Sequence, residues 1–274
     1  MLRSLYSGIS GMRGFQTKLD VIGNNIANVN TIGFKAGRVM FQDILSQTMS
    51  GITAPEEGAS GGVNPKQVGL GVTVGAIDTV HTPGSAMTTN VVTDLRIDGD
   101  GFFAVVANED QEIPYLTRAG NFTLDGLGQL VTSDGYFVQA VGGGNIILDP
   151  EEVTAFSIAQ DGTIIAIAPD GTSEPTEFQI GVVKVVNPGA LEKIGGNMYR
   201  FNVNADPEEE PEIVAANDAE LGTGAIISGQ LEMSNVDLTN EFSEMIVAQR
   251  GFQANSRIIT TSDEVLQEIV NLKR

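Results

Sequence analysis

Few residues in this sequence have the type and spacing that enzyme chemistry needs. The 274-residue chain has no cysteine and a single histidine, His81, which leaves almost no material for thiolate metal sites, cysteine nucleophiles or histidine-based triads. His81 stands beside Pro83 and Gly84 without a cluster of ligands around it and reads as a loop residue. Asp98-Gly99-Asp100-Gly101 opens like a calcium loop, but the remaining oxygen ligands and closing glutamate do not follow at the required spacing. Gly142-Gly143-Gly144 has no Lys-Ser/Thr behind it and reads as a turn. Carboxylates are plentiful, yet no pair is set apart for acid-base work. The expectation is no catalytic residue, no metal and no cofactor. What stands out is a run of asparagines, Asn24, Asn25, Asn28 and Asn30, in an otherwise apolar segment. Asparagine is a poor helix interior residue but a good cap and cross-helix hydrogen-bonding partner.

The elements that would position such contacts lie at the two ends. All ten prolines fall between Pro55 and Pro211, leaving both ends open to long helices. Leu2, Leu5, Ile9, Met12, Leu19 and Ile26 advance by threes and fours, with Gln16 and Gly23 interrupting the seam and Phe15, Ile22 and Val29 widening it. A helix over Leu2 to Val29 would run roughly 40 Å, weakened by up to about 1 kcal/mol at each of Gly8, Gly11, Gly14 and Gly23. At the other end Leu238, Met245, Phe252, Ile259 and Leu266 recur at strict sevens. Their alternate seam positions, Phe242, Gln249, Ser256, Asp263 and Val270, are polar in the middle. Asn235 or Asp237 can cap this second helix, and Lys273 and Arg274 suit its C-terminal dipole.

Between the ends the period changes. Gly101 to Ala107, Phe122 to Leu124, Gln129 to Thr132, Tyr136 to Val141, Thr163 to Ala168 and Phe178 to Val186 read as strands, with Asp-Gly pairs at Asp100, Asp125, Asp134, Asp161 and Asp170 as hairpin or loop turns. Met49 to Lys66 and the acidic Ala205 to Glu212 read as exposed loops. The expected fold class is a multi-part α+β protein. Long N- and C-terminal helices pair as a coiled-coil-like inner domain, and an all-β outer domain is inserted between them. The divisions are 1–46 for the first helix and turn, 47–71 for an extended linker, 72–228 for the β domain and 229–274 for the second helix. The net charge of −20 is concentrated in the middle, where 47–235 carry a balance of −21 against +3 before and −2 after. Such a surface rejects nucleic acid and anionic membrane. The opening Met1 to Gly8 lacks the apolar core of a secretory signal, and no stretch approaches the roughly 18 apolar residues of a membrane span.

Three blocks then resemble one family. Ser4 through Lys35, with Leu19-Asp20-Val21-Ile22-Gly23-Asn24-Asn25-Ile26-Ala27-Asn28 and Gly33-Phe34-Lys35, is similar to the N-terminal motif of bacterial flagellar rod and hook axial proteins. Ser234 to Leu238, Met245 to Asn255 and Val270-Asn271-Leu272 resemble that family's C-terminal motif, and Ile97 to Phe103 with Tyr115 to Phe122 resemble its middle. The resemblance implies a non-enzymatic structural subunit of the flagellum that forms a helical polymer around an export channel. It further implies export by the flagellar type III apparatus, for which a chain without disulfides is well suited.

Within that family the C-terminal blocks look more like hook subunits, flexible joints that transmit torque, than like distal rod subunits of the basal body. The linker and the short body point the other way. The hook is the expectation, the distal rod the alternative, and an extracellular calcium-binding β module the remote third. Implied partners are further copies of the chain, adjoining rod and hook-filament junction proteins, the export apparatus and the hook cap, in the flagellum and outside the cell after export. Assembly residues expected on the first helix are Leu5, Ile9, Met12, Leu19, Ile22, Asn24, Asn25, Ile26, Asn28 and Phe34. On the second they are Asn235, Leu238, Phe242, Met245, Gln249, Arg250, Phe252, Ile259, Leu266 and Leu272.

Overall fold

The computed structural model describes residues 2–52, 61–108, 111, 113–149, 153, 155–168, 172–206 and 211–272. They form two compact units, one from Met1–Ala27, Gly37–Thr79 and Asp237–Arg274, the other from Asn28–Ala36 and Val80–Val236.

In the first unit, helix α1 (Leu2–Ala27) ends two residues short of the expected Val29, and the long helix here called α2 covers Leu238–Leu272. The backbone N–H of Thr239 donates to Asp237 Oδ1 at 2.9 Å, so Asp237 supplies the cap of α2. Lys273 and Arg274 lie outside the described residues. The helices run antiparallel: a Cβ on Gly8 would touch Ile259, a Cβ on Gly11 would touch Asn255, and a Cβ on Gly251 would lie 2.6 Å from the Phe15 ring. Three of the glycines that weaken α1 in isolation, Gly8, Gly11 and Gly14, thus mark where it approaches its neighbours closely, whereas Gly23 faces open space.

Between the helices in sequence runs a long two-stranded ribbon. Strand β1 (Gly37–Asp43) pairs antiparallel with β4 (Val72–Thr79), and β2 (Ser46–Ser50) pairs with β3 (Lys66–Gly69). Residues 47–71, expected as an extended linker, therefore carry a paired ladder, and β4 groups with the helices instead of with the β domain. The pairing left no mark in the sequence: these strands are exposed on both faces, so no alternation of apolar and polar residues betrays them. A lone hairpin is marginal. Phe15 of α1 supports this one, its ring 5.7 Å from that of Phe41. Residues 53–60 of the Met49–Lys66 loop lie outside the described residues.

The second unit is built of short antiparallel strands: β5 (Ala86–Thr88), β6 (Leu95–Asp98), β7 (Phe102–Val106), β8 (Tyr115–Thr117), β9 (Phe122–Leu124), β10 (Leu130–Thr132), β11 (Phe137–Val138), β12 (Ala155–Ile158), β13 (Thr163–Ile167), β14 (Ser173–Gln179), β15 (Gly181–Val183), β16 (Glu192–Gly195), β17 (Met198–Arg200), β18 (Ile213–Ala215), β19 (Ala225–Ser228) and β20 (Gln230–Glu232). Its main sheet runs β16-β17-β8-β7-β11-β10-β9, with β15 joining β7 to β18. Strand β7 is buried along its whole length because its two faces enter different cores. Phe103 and Val105 point into a cluster with Phe122, Ile146 and Ile180, and Phe102 and Ala104 into one with Leu116, Val183 and Tyr199. Smaller ladders join β12-β13-β14, β6 to β19 and β5 to β20. Of the acidic loop Ala205–Glu212, residues 207–210 lie outside the described residues, as does Asp170 of the last Asp-Gly turn.

Candidate functional site

In the first unit the face shared by α1 and α2 gathers part of the expected seam. Ile22 and Asn25 are buried on α1, with Leu5, Met12, Leu19 and Ile26 half-buried. On α2 the inward line is Met245, Ala248, Asn255, Ile259 and Leu266, of which Ala248 is fully buried. Asn25 is the polar node of the pair. Its Nδ2 donates to Glu241 Oε1 at 3.0 Å and to the Gly37 carbonyl at 2.9 Å, while its Oδ1 accepts the Gly37 N–H at 2.9 Å. Partial burial raises the Glu241 pKa, opposed by the Asn25 hydrogen bond and reinforced by the Glu244 charge. An ion pair of Lys18 with Glu244 closes the edge of the same face.

The other expected positions lie elsewhere. Ile9, Asn24, Leu238, Phe242, Gln249, Arg250, Phe252 and Leu272 are exposed, Leu272 at 86%. Arg250 makes a long contact with Gln253 on its own helix. Leu238 and Phe252 share the seven-residue repeat of Met245, Ile259 and Leu266, yet they stay exposed. Among the described residues nothing covers this apolar surface.

In the second unit the motif residues Phe34 and Asn235 are brought together with residues that sequence reasoning missed. Lys35 Nζ lies 2.6 Å from Glu232 Oε1, with both side chains buried, and also donates to the Thr82 carbonyl at 2.8 Å. Arg118 Nη1 stands 3.4 Å from Glu232 Oε2, its Nη2 donates to the Gly99 carbonyl at 2.9 Å, and its guanidinium lies over the Phe102 ring. The Gly84 N–H completes the carboxylate's shell at 2.9 Å. Burial alone would raise the Glu232 pKa; the hydrogen bond and charge of Lys35, the Gly84 N–H and Arg118 outweigh it and hold it below the usual value. For Lys35 burial dominates and lowers the pKa despite Glu232.

Asn235 acts as a clamp rather than a helix cap. Its Oδ1 accepts the Ala36 N–H at 2.8 Å and its Nδ2 donates to the Val80 carbonyl and Thr82 Oγ1. Phe34 is buried beneath the Lys193 ammonium, and Asn28 Oδ1 accepts the Thr31 hydroxyl. His81 packs between Phe102 and Tyr199. Burial first, then the charges of Lys35, Lys193 and Arg118, push its pKa down to about 4. Neither ring nitrogen has a good hydrogen-bond partner, the Pro188 backbone offering only a weak opposing contact. His81 lies in the loop between β4 and β5, as expected, with its ring packed among aromatic side chains. Gly33 holds φ +69°, and a Cβ there would sit 2.6 Å from the Ala119 nitrogen, so the Gly33-Phe34-Lys35 block can lie against Arg118-Ala119 only with glycine at its head. The arrangement fixes backbone segments; nothing in it presents a reacting group. Among the described residues no group of acidic or histidine side chains could hold a metal, and no helix is long and apolar enough to cross a membrane.

Comparison with known proteins covers the same three blocks. Residues 5–35 match the family model described as flagella basal body rod protein, 96–166 the flagellar hook protein FlgE/F/G D1 domain, and 227–272 the flagellar basal body rod FlgEFG protein C-terminal. The flagellar basal-body rod protein FlgG of Bacillus subtilis is 55% identical over 276 residues, covering all of both chains. That of Borreliella burgdorferi is 36% identical, again over all of both. The flagellar hook protein FlgE of Borreliella burgdorferi is 29% identical, in an alignment of 451 residues.

Proposed function

The chain belongs to the family of flagellar basal-body rod and hook proteins, and from that premise we propose that it is a distal rod subunit of the basal body, a segment of the drive shaft. The family is structural and not enzymatic, its members are axial parts of the flagellum, and membership implies self-polymerisation with axial neighbours at either end. The observation that carries the rod reading is end-to-end similarity, at 55% identity, to a rod protein of nearly the same length, whereas the hook relative needs 451 aligned positions against 274 residues here. The expectation of a hook subunit therefore yields to its alternative.

In this reading the helix pair of the first unit forms the coiled-coil-like inner layer of the tube. The acidic β unit is the inserted outer domain. Type III export and contact with the proteins that precede and follow the rod complete the assignment. Electron micrographs of basal bodies from cells lacking this chain test it. Basal bodies that stop before the distal rod are expected, with rods and hooks restored by the gene in trans. Complete rods that lack only hooks would overturn the rod reading.

A further inference from the structure

Helix α2 carries two apolar stripes, and among the described residues only one of them is covered. Met245, Ala248, Asn255, Ile259 and Leu266 face α1. About a hundred degrees around the helix, Ile258, Val265 and Leu272 recur at sevens with Ile269 four residues beyond Val265, placing all four on one side. These four are 43%, 45%, 86% and 49% exposed in that order. The contacts of Gly8 with Ile259, Gly11 with Asn255 and Phe15 with Gly251 set the antiparallel register, which puts the start of α1 opposite Leu266. Residues Gln267 to Leu272 therefore project roughly 9 Å past the end of their partner. The last ten residues of α2 hold Asp263, Glu264 and Glu268 and no basic residue.

The same unit has a groove of complementary character. It lies between α1 and the β1–β4 ribbon, has a volume of about 460 Å³, and is lined by Tyr6, Ile9, Arg13, Ile44, Leu70 and Val72, among others. Tyr6, Ile9 and Ile44 are exposed apolar side chains at its rim. Arg13 has no carboxylate within ion-pairing distance among the described residues, and neither Glu264 nor Glu268 has a cation. From Leu2 to Leu19, α1 carries three cations, Arg3, Arg13 and Lys18, and no acid.

We infer that the projecting end of α2 from one copy docks in the α1–ribbon groove of a second copy, with Ile269 and Leu272 entering the groove and Glu268 meeting Arg13. The inference rests on the self-assembly stated above and names the contact that makes it. It joins two different surfaces, so a copy that gives its α2 end to one neighbour and its groove to another propagates the contact along a polymer.

The absence of cysteine allows a direct test. Chains carrying only Arg13→Cys are mixed with chains carrying only Glu268→Cys, both exposed positions, then assembled and mildly oxidised. The expected result is a cross-linked pair containing one chain of each kind, formed when the polymer is oxidised and not formed when the chains are oxidised as dilute monomers. Separately, Arg13→Glu and Glu268→Arg should each reduce polymer mass at low salt by about tenfold or more, and the two together should restore it. Polymers that form normally with no mixed cross-link, or a double charge reversal no better than the single ones, would overturn the docking while leaving self-assembly intact. Failure of the unaltered chain to polymerise would overturn the assembly reading itself, and this contact with it.

Discussion

Lys35 and Glu232, 197 residues apart in sequence, meet at 2.6 Å with 1% of either side chain exposed, and Arg118 reaches the same carboxylate from a third segment. One carboxylate thus ties together the residues after α1, the end of β8 and the last strand before α2. Two buried cations share it, so its loss leaves both without a counter-charge. Glu232→Gln should destabilise the monomer by about 3–5 kcal/mol, read as a fall in urea midpoint at an unchanged slope.

Acid should loosen the same region. Glu232 titrates lower in the folded chain than in the unfolded one, so its stabilising effect is present above the usual carboxylate pKa and fades as pH falls through the folded value. His81, lowered from 6.5 to about 4, binds its proton more readily unfolded, so stability falls as pH drops from 6.5 toward 4. Thermal melts between pH 7 and pH 4 should show a falling Tm. His81→Phe, which keeps the ring contacts with Phe102 and Tyr199, should flatten the upper part of that window.

Two glycines on one helix should respond with opposite signs. A Cβ at Gly23 meets nothing within 4 Å, so Gly23→Ala should stabilise the monomer by about 0.5–1 kcal/mol through helix propensity. At Gly11 the Cβ would stand 2.8 Å from Asn255 Nδ2, so Gly11→Ala must displace Asn255 and should lower the Tm relative to Gly23→Ala. Paired thermal melts decide it.

Asn25 satisfies both backbone groups of Gly37 and one oxygen of Glu241. Asn25→Ala should cost about 2–4 kcal/mol, since the Gly37 groups are left without a partner as well as the carboxylate. Faster hydrogen exchange at the Gly37 amide, with little change in the β unit, is the expected accompaniment.

Much of the architecture was legible in one dimension because local periodicity reports local structure. Steps of three and four without proline marked both helices to within a few residues, and apolar runs between Asp-Gly turns marked β7, β9, β10 and β13. The motif blocks also pointed to the axial family. The pairing of β2 with β3 was not legible, because strands exposed on both faces carry no alternation to detect. On α2 the seven-residue repeat marked Met245, Ile259 and Leu266 of the inward line, but it did not show Ala248 and Asn255 there or Leu238 and Phe252 outside it.

What the sequence by itself determined was the two long terminal helices and several of the strands between them. Only the tertiary structure decided that Lys35, Arg118 and Glu232 form one buried cluster, and that Asn235 clamps Ala36 instead of capping a helix. The reason is physical. A charged residue read alone is most economically placed in water, and its burial becomes acceptable only when partners from distant segments arrive together, which no local pattern records.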